Sequence, residues 1–449
     1  MTLPDTIVAI ASPAGRGAVG LIRVSGPEVP IIATALLGAL PTPRCAQLAK
    51  FKDGDGETLD QGLALYFPAP ASFTGEHVLE LQGHGGVVVL DSLLRRVLEL
   101  GARLARAGEF SERAFLNGKM DVAQAEAVAD LIDAGSTAAA RAAARSMQGE
   151  FSARIETLRS QLTELRAYVE AAIDFPDEDI DFLQGNALRG RLSEIFTAFE
   201  SIQAAANQGA LLREGLTVVI AGKPNAGKSS LLNRLVGDDV AIVTDIPGTT
   251  RDPLRHSVHI DGLPITLIDT AGLRQATDAV EAEGVRRARV EISRADHLLY
   301  VLDASEAEAQ FDPATEELWR ESALPTTFLV NKIDLVGRPA EVQQHGNATH
   351  IYLSALTGSG LELLKDHLKR GAGYHGEAGA LSARRRHLDA LSRAHVLVKK
   401  SAATLASTRA LELFAEDLRL AQQVLGEITG EFTSDDLLGE IFGSFCIGK

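Results

Sequence analysis

The sequence predicts a multidomain protein in which an α/β domain is inserted into a helical domain that follows a smaller α+β domain. Strand and helix patterns alternate from Leu216, as in doubly wound α/β folds. Long helical patterns lie on both sides of that block, and the start of the chain mixes short strands with helix. An inserted domain requires that its two ends lie close together. Because each helical half alone has little to pack against, we favour one discontinuous all-α domain over two separate helical domains.

The first part of the chain is expected to form the α+β domain. Apolar runs indicate four strands, at 7–10, 20–24, 63–67 and 78–82. Residues 87–100 have a helical pattern, and Gly101 is its expected stop. From Asp121 the sequence reads as unbroken helix up to an acidic segment at 175–181.

Apolar spacing in the helical sequence predicts coiled-coil-like seams. Steps of 4, 3, 4, 3, 4 connect Phe151, Ile155, Leu158, Leu162, Leu165 and Val169. The same spacing returns near the end in Phe414, Leu418, Ala421, Leu425 and Ile428. The expected domains are 1–118, 119–210 with 373–449 as one helical domain, and 211–372 as the inserted domain.

Composition excludes several classes of protein. Lys and Arg number 44 against 60 Asp and Glu, so the net charge is −16 and a general polyanion-binding role is not expected. The two cysteines, Cys45 and Cys446, form neither a disulfide framework nor a zinc pattern, which favours a reducing cytoplasm. No leader and no apolar stretch of about 20 residues is present, so we expect no transmembrane segment.

The α/β block carries a phosphate-binding motif after the first of six predicted strands. These strands are Thr217–Ala221, His256–Ile260, Ile265–Asp269, Leu298–Asp303, Thr327–Asn331 and Ile351–Leu353. Residues 222–229 read G-x-x-x-x-G-K-[ST] and open a helix. Backbone N–H groups of this loop hold phosphates, Lys228 reaches the β and γ oxygens, and Ser229 is the expected magnesium ligand.

Three further motifs indicate that the nucleotide is GTP, and one of them, Ser354–Leu356 after the last strand, fits the loop that contacts guanine O6. Asp269–Gly272 reads D-x-x-G, in which Asp269 holds magnesium through water. Asn331–Asp334 reads N-K-x-D, and the Asp334 carboxylate accepts the N1–H and N2–H of guanine, which adenine does not offer. The predicted GTP-binding residues are Asn225, Ala226, Gly227, Lys228, Ser229, Ser230, Thr244, Asp245, Ile246, Pro247, Gly248, Thr249, Thr250, Asp269, Thr270, Ala271, Gly272, Asn331, Lys332, Asp334, Ser354, Ala355 and Leu356.

The predicted reaction is GTP hydrolysis, with Thr250 as the second magnesium ligand. In Ras-like proteins a glutamine directly after D-x-x-G orients the water, but Leu273 has that position here and Gln275 is displaced from it. Another group must therefore orient the water and offset the charge of the transition state.

Three segments give the chain a family resemblance over nearly its whole length. They are DTIVAIASPAGRGAVGLIRVSG at the start, GKPNAGKSSLLN with IPGTTRD in the inserted domain, and TSDDLLGEIFGSFCIGK at the end. In these segments the chain resembles the MnmE (TrmE) family of tRNA-modification GTPases. The resemblance implies an N-terminal folate-binding-like domain, a discontinuous helical domain and an inserted Ras-like P-loop G domain.

The resemblance also implies site residues. Glu281 matches the family's water-positioning glutamate, and potassium takes the place of an arginine finger through Asn225, Thr244, Ile246 and Thr249. A 5-formyl-tetrahydrofolate-type donor matches Arg23, Glu80, Lys119 and Lys449. Cys446 would lie near that donor, and its catalytic role is a hypothesis that Cys446→Ser would test. His84, without a second ligand at metal spacing, is interpreted as structural.

The family acts as a homodimer whose G domains associate on GTP binding. With an FAD-binding partner, MnmG (GidA), in a heterotetramer or larger complex, it adds an aminomethyl or carboxymethylaminomethyl group to carbon 5 of the wobble uridine of tRNA. Two alternatives stand beside this reading: a switch in ribosome assembly or signalling without modification chemistry, and a structural dimer that only binds nucleotide. The intact motif residues argue against the second alternative.

Overall fold

The computed structural model describes residues 5–174, 186–238, 255–269, 295–306, 324–346, 348–376, 378–408, 410–431, 435–445 and 448. Within the chain two compact units form, each discontinuous in sequence. The first comprises Met1–Ala129, Met147–Leu192 and Arg393–Lys449, and the second comprises Asp130–Ser146 and Ser193–Ser392. The domain boundaries expected from the sequence remain a prediction.

Helices account for half of the described residues. They are α1 (Val29–Leu37), α2 (Val87–Glu99), α3 (Glu109–Leu116), α4 (Val122–Ile132), α5 (Thr137–Met147), α6 (Glu150–Asp174), α7 (Asn186–Glu214), α8 (Lys228–Asp238), α9 (Ile333–Val336), α10 (Leu361–Gly371), α11 (Arg385–Thr408), α12 (Leu411–Thr429) and α13 (Asp435–Gly443). None of these helices is long and apolar enough to cross a membrane.

The first unit contains a six-stranded sheet. Its strands are β1 (Ile7–Ile10), β2 (Gly17–Ser25), β3 (Gln47–Lys52), β4 (Thr58–Phe67), β5 (Val78–Gly85) and β6 (Arg103–Leu104). They lie in the order β3-β4-β5-β2-β1-β6, and only β1 and β6 are parallel. The four predicted strands are confirmed. The edge strands β3 and β6 lie outside the prediction, because β3 is largely exposed and β6 has only two residues.

One face of this sheet is covered and the other is largely open. Alternate residues such as Ile22, Val24 and Leu81 pack with α1 and α2 into a buried core, and α2 ends before Gly101 (φ +104°), as predicted. On the opposite face, apolar side chains of three strands remain in solvent: Val19 is 65% exposed, Leu48 69% and Leu63 39%. We call this surface the open sheet face.

The two predicted seams are confirmed, because α6 and α12 pack against each other through them. All eleven seam residues are buried: Phe151, Ile155, Leu158, Leu162, Leu165, Val169, Phe414, Leu418, Ala421, Leu425 and Ile428. The prediction of unbroken helix from Asp121 is wrong. Ser136 accepts the N–H of Ala139 and starts α5 as a new helix, and Gly149, with φ +89°, separates α5 from α6. The acidic segment 175–181 lies outside the described residues.

The second unit contains a seven-stranded sheet with a parallel centre. Its strands are β7 (Leu216–Gly222), β8 (Arg255–Ile260), β9 (Leu263–Asp269), β10 (His297–Asp303), β11 (Thr326–Asn331), β12 (Glu341–His345) and β13 (Ala348–Tyr352). The order is β12-β13-β11-β10-β7-β9-β8, and only the two outer pairs are antiparallel. Each of the six predicted strands overlaps an observed one, and the polar edge strand β12 was outside the prediction.

Both faces of this sheet are buried. Val218 and Ile220 of β7 belong to one apolar cluster, whereas Val219 and Ala221 belong to a cluster on the other face. A strand covered on both faces reads as a continuous apolar run rather than an alternating one. The carboxyl ends of the parallel strands therefore form one edge, where ligands of α/β folds bind.

A buried arginine fixes the corner of the first unit where β1 begins. Arg113 is 1% exposed and donates to Glu76 Oε2 (3.0 Å), Glu109 Oε1 (3.1 Å) and Asp5 Oδ1 (2.8 Å). Arg103 Nη1 also donates to Glu109, at 2.9 Å. Burial raises the pKa of Glu109, but hydrogen bonds led by those from Arg103 outweigh it and hold that pKa at about 2.

We expect Glu109→Gln to lower the free energy of unfolding by about 3–5 kcal/mol at pH 7, because two guanidinium groups lose their carboxylate. The pKa falls from 4.5 to about 2 on folding, so the stabilisation is complete above pH 4.5 and is lost as pH falls toward 2. The difference between wild type and variant should therefore shrink across that window. Urea denaturation at pH 7 and pH 3 measures it.

Glu112→Gln is the matched control. Glu112 lies three residues further along α3 and accepts from Arg106 at 2.9 Å in an exposed pair. An exposed pair contributes about 0–1 kcal/mol, so this variant should be nearly as stable as wild type. Equal losses from both variants would contradict the role given to the buried cluster.

Candidate nucleotide site and N-terminal site

The turn from β7 to α8 has the backbone of a phosphate-binding loop. Gly222, Asn225 and Gly227 have φ of +141°, +63° and +100°, which turn the chain tightly. A Cβ at Gly222 would lie 2.3 Å from the carbonyl oxygen of Val301, so only glycine fits there. Because α8 begins at Lys228, the positive end of its dipole faces the loop.

Lys228 is held inside this loop. Its side chain is 7% exposed, and Nζ donates to the carbonyl oxygens of Gly222 (2.8 Å) and Lys223 (2.7 Å). The ammonium group therefore lies inside the loop that is predicted to hold the phosphates. Ser229 and Ser230, the next residues of α8, are exposed.

Asn331 connects the phosphate loop to the predicted base-binding loops. It is 2% exposed, its Nδ2 donates to Ala226 O at 2.9 Å, and its Oδ1 accepts from Ala355 N at 2.9 Å. A Cβ at Gly227 would lie 2.1 Å from Asn331 Nδ2. One buried amide thus sets the distance between three motifs that are far apart in sequence.

The residues predicted to contact guanine are only partly available to it. Asp334 is exposed, as a group that reads a bound base must be. Ser354 is fully buried and its Oγ accepts from Thr357 N at 3.1 Å, while the Ala355 N–H is already paired with Asn331. Of the three residues of that loop, Leu356, 77% exposed, is the one that faces solvent.

Asp269 ends β9 beside the phosphate loop, in register with Ile220 of β7. This brings its carboxylate to the same edge of the sheet as α8. The remaining predicted nucleotide residues, Thr244–Thr250 and Thr270–Gly272, lie outside the described residues, as does Glu281. Asp303, which belongs to none of the motifs, accepts from Lys332 Nζ at 2.5 Å; its only signal in the sequence is an acid at the end of a predicted strand.

The second predicted site lies on the open sheet face. Arg23 and Glu80 are cross-strand neighbours on β2 and β5, and Arg23 Nε donates to Glu80 Oε1 at 3.0 Å. Their side chains are 22% and 17% exposed. The Arg23 guanidinium lies 5.6 Å from the ring centre of Phe73 and 5.9 Å from that of Phe110. The structure thus brings together two of the predicted folate residues with an aromatic wall.

Lys119 lies beside the loop that carries Phe73, since its Cε would be 3.3 Å from a Cβ placed at Gly75. Lys449 and Cys446 are outside the described residues. Gly448 is described, and a Cβ on it would lie 2.6 Å from Ile10 O, next to Ala9, the strand partner of Arg23. Among the described residues, no cluster of His, Cys, Asp and Glu could hold a metal ion.

Two family profiles and several known proteins match this chain. The profile described as "GTP-binding protein TrmE N-terminus" matches residues 6–119, and the profile described as "MnmE helical domain" matches residues 122–446. The chain is 55% identical over 453 residues to a Proteus mirabilis protein named tRNA modification GTPase MnmE, with 99% of each chain covered. It is 57% identical over 457 residues to a Yersinia pseudotuberculosis protein of the same name, with 100% of each chain covered.

The similarity extends through the N-terminal sheet, the helical segments and the nucleotide-binding unit, and the helical-domain profile alone matches more than half of the residues. The chain therefore belongs to the MnmE (TrmE) family.

Proposed function

We propose that this chain is a GTP hydrolase that acts in the modification of tRNA. This is the activity that the names of its relatives state. The observation that supports hydrolysis best is the phosphate loop, where Lys228 is held between the carbonyl groups of Gly222 and Lys223. Asp334 selects guanine, because a carboxylate pairs with the two N–H donors of that base. We place the protein in the cytoplasm, where its tRNA substrate would be found.

Magnesium fits the residues at this edge of the sheet. Ser229 is exposed at the start of α8, and Asp269 ends the neighbouring strand, so both offer the oxygen ligands that magnesium prefers. With Thr250 they would hold the ion, which neutralises charge on the phosphates. Glu281 is assigned to orient the attacking water.

Potassium is proposed as the group that takes the place of an arginine finger. Asn225, Thr244, Ile246 and Thr249 would hold it, and its charge would offset the charge that grows between the β and γ phosphates. Asn225 supports this assignment, since its left-handed backbone (φ +63°) and exposed side chain place an amide at the mouth of the phosphate loop.

GTP turnover should be about tenfold or more faster in potassium chloride than in sodium chloride at equal ionic strength, because loss of one charge-stabilising group costs at least that much. Phosphate release measures it. Asn225→Ala should bring the potassium rate down toward the sodium rate. Equal rates of wild type in both salts would refute the potassium assignment and leave GTP hydrolysis standing.

A folate of the 5-formyl-tetrahydrofolate class is the proposed one-carbon donor. The Arg23–Glu80 pair supports this, because the carboxylate can accept the amino and ring N–H groups of a pterin while the guanidinium stays near the ring of Phe73. Lys119 and Lys449 would hold the carboxylates of the glutamate tail. When bound, the folate supplies the methylene carbon of the product.

Glu80→Gln should weaken binding of 5-formyl-tetrahydrofolate about tenfold or more, since an amide cannot accept both pterin donors. Isothermal titration calorimetry on the full chain measures it. Glu57→Gln, on the exposed turn before β4, is the control and should bind like wild type. Unchanged affinity in Glu80→Gln would place the folate elsewhere.

A homodimer and a heterologous partner complete the proposal. The open sheet face presents Leu48 and Leu63 in one row across β3 and β4, and apolar surface of this kind favours association with a second copy. An FAD-binding partner, MnmG (GidA), would supply the redox chemistry in a heterotetramer or larger complex. The product is tRNA with an aminomethyl or carboxymethylaminomethyl group at carbon 5 of the wobble uridine.

The deciding experiment is mass spectrometry of nucleosides from the tRNA of cells that lack this gene. Wild type should restore the C5-modified wobble uridine, and Glu281→Ala should fail to restore it while binding GTP with nearly normal affinity, because it removes the water-positioning carboxylate. If the modification is present without the gene, the proposed role in tRNA modification is refuted. The switch in ribosome assembly or signalling would then be the better explanation.

A further inference from the structure

The turn at 303–306 contacts both loops of the nucleotide site, although it belongs to none of the motifs. Lys332 Nζ of the N-K-x-D loop donates to Asp303 Oδ2 at 2.5 Å, and Lys223 Nζ of the phosphate loop donates to Glu306 Oε2 at 3.3 Å. The two acids differ in burial, since the side chain of Asp303 is 12% exposed and that of Glu306 is 50% exposed. Only Asp303 is placed to act as a fixed anchor.

Both oxygens of Asp303 are occupied. While Oδ2 accepts from Lys332, Oδ1 accepts from Ser305 N at 2.9 Å and from Ser305 Oγ at 2.6 Å. Burial raises the pKa of Asp303, but the hydrogen bonds from Lys332 and Ser305 outweigh it and leave the pKa below its ordinary value. The carboxylate is therefore ionised at neutral pH and is held through both of its oxygens.

The backbone of Lys332 has an unfavourable conformation that its surroundings must stabilise. Its φ is +69°, in the left-handed region that side chains other than glycine seldom adopt. Its neighbours Asn331 and Ile333 are both buried, so the peptide on each side is fixed. With the backbone fixed at one end and the ammonium held by Asp303 at the other, the path of the Lys332 methylene stem is defined.

Given the GTP binding proposed above, we propose that Asp303 is a positioning residue for guanine. It holds the stem of Lys332 as an apolar wall of the base site, while Asp334 reads the hydrogen-bonding edge of the base. Without the anchor, the long side chain of Lys332 would sample many rotamers, and ordering it would cost binding free energy. Asp303 would thus set the affinity for the nucleotide but not the choice of base.

The test is the dissociation constant of the full chain for GDP and for inosine diphosphate, measured by calorimetry. Asp303→Asn should raise both constants by roughly tenfold, because it removes one charge-assisted hydrogen bond. The ratio of the two constants should stay at the wild-type value. Inosine lacks only the 2-amino group, whose N–H donates to Asp334, and Asp303 does not contact that group in the proposed site. Asp334→Asn should change that ratio. Glu306→Gln, in the same turn, is the control and should stay within about twofold of wild type.

A double-mutant cycle separates positioning from general damage. Lys332→Ala should weaken GDP binding by a similar factor, and Asp303→Asn added to it should weaken binding no further. Ser305→Ala, which removes one of the hydrogen bonds on Asp303, should lower the affinity for GDP by a smaller factor. This variant tests the inference if Asp303→Asn does not fold.

Unchanged GDP affinity in Asp303→Asn, or losses that add in the double mutant, would overturn the inference. A changed ratio of the two constants in Asp303→Asn would do the same. If wild type binds neither nucleotide, the proposed GTP hydrolase itself fails, and that outcome is distinct from the others.

Discussion

The geometry of the nucleotide site depends on one requirement, that the buried amide of Asn331 satisfy both its donor and its acceptor. A buried polar group left unpaired costs about 1–3 kcal/mol, so the carbonyl of Ala226 and the N–H of Ala355 must both stay within reach of that side chain. Since β11 lies inside the sheet, Asn331 cannot move toward either loop. The loops are therefore placed by the strand.

The first unit depends instead on a buried cluster of charges around Arg113. Arg113 has lost its hydration, and three carboxylates from separate segments compensate it. That arrangement fixes the loop before β5, which carries Phe73 toward Arg23. The helices α1 and α2 cover one face of the sheet, and the polar pair of Arg23 and Glu80 lies on the other. The proposed binding residues thus lie on the face that α1 and α2 do not cover.

The sequence predicts the parts of this protein that chemistry ties to fixed residue types at fixed spacing. Binding of phosphate requires a lysine at a fixed motif position, here Lys228, and binding of guanine requires an aspartate, here Asp334. Strands buried on both faces are recognisable as continuous apolar runs. It could not predict the edge strands β3 and β12, because β3 is mostly exposed and β12 is mostly polar. Nor could it predict the partners of Arg113 or the pairing of the Ala355 N–H, because these depend on segments distant in sequence.

The contact between Gly227 and Asn331 has a consequence for how this site can diverge. A methyl group at position 227 would occupy the space of the asparagine amide, so neither residue can be exchanged freely while the other is kept. The two positions are epistatic in a physical sense: the effect of a change at one is defined only for a given partner at the other. Phosphate and base recognition are therefore inherited together, although more than a hundred residues of sequence separate them.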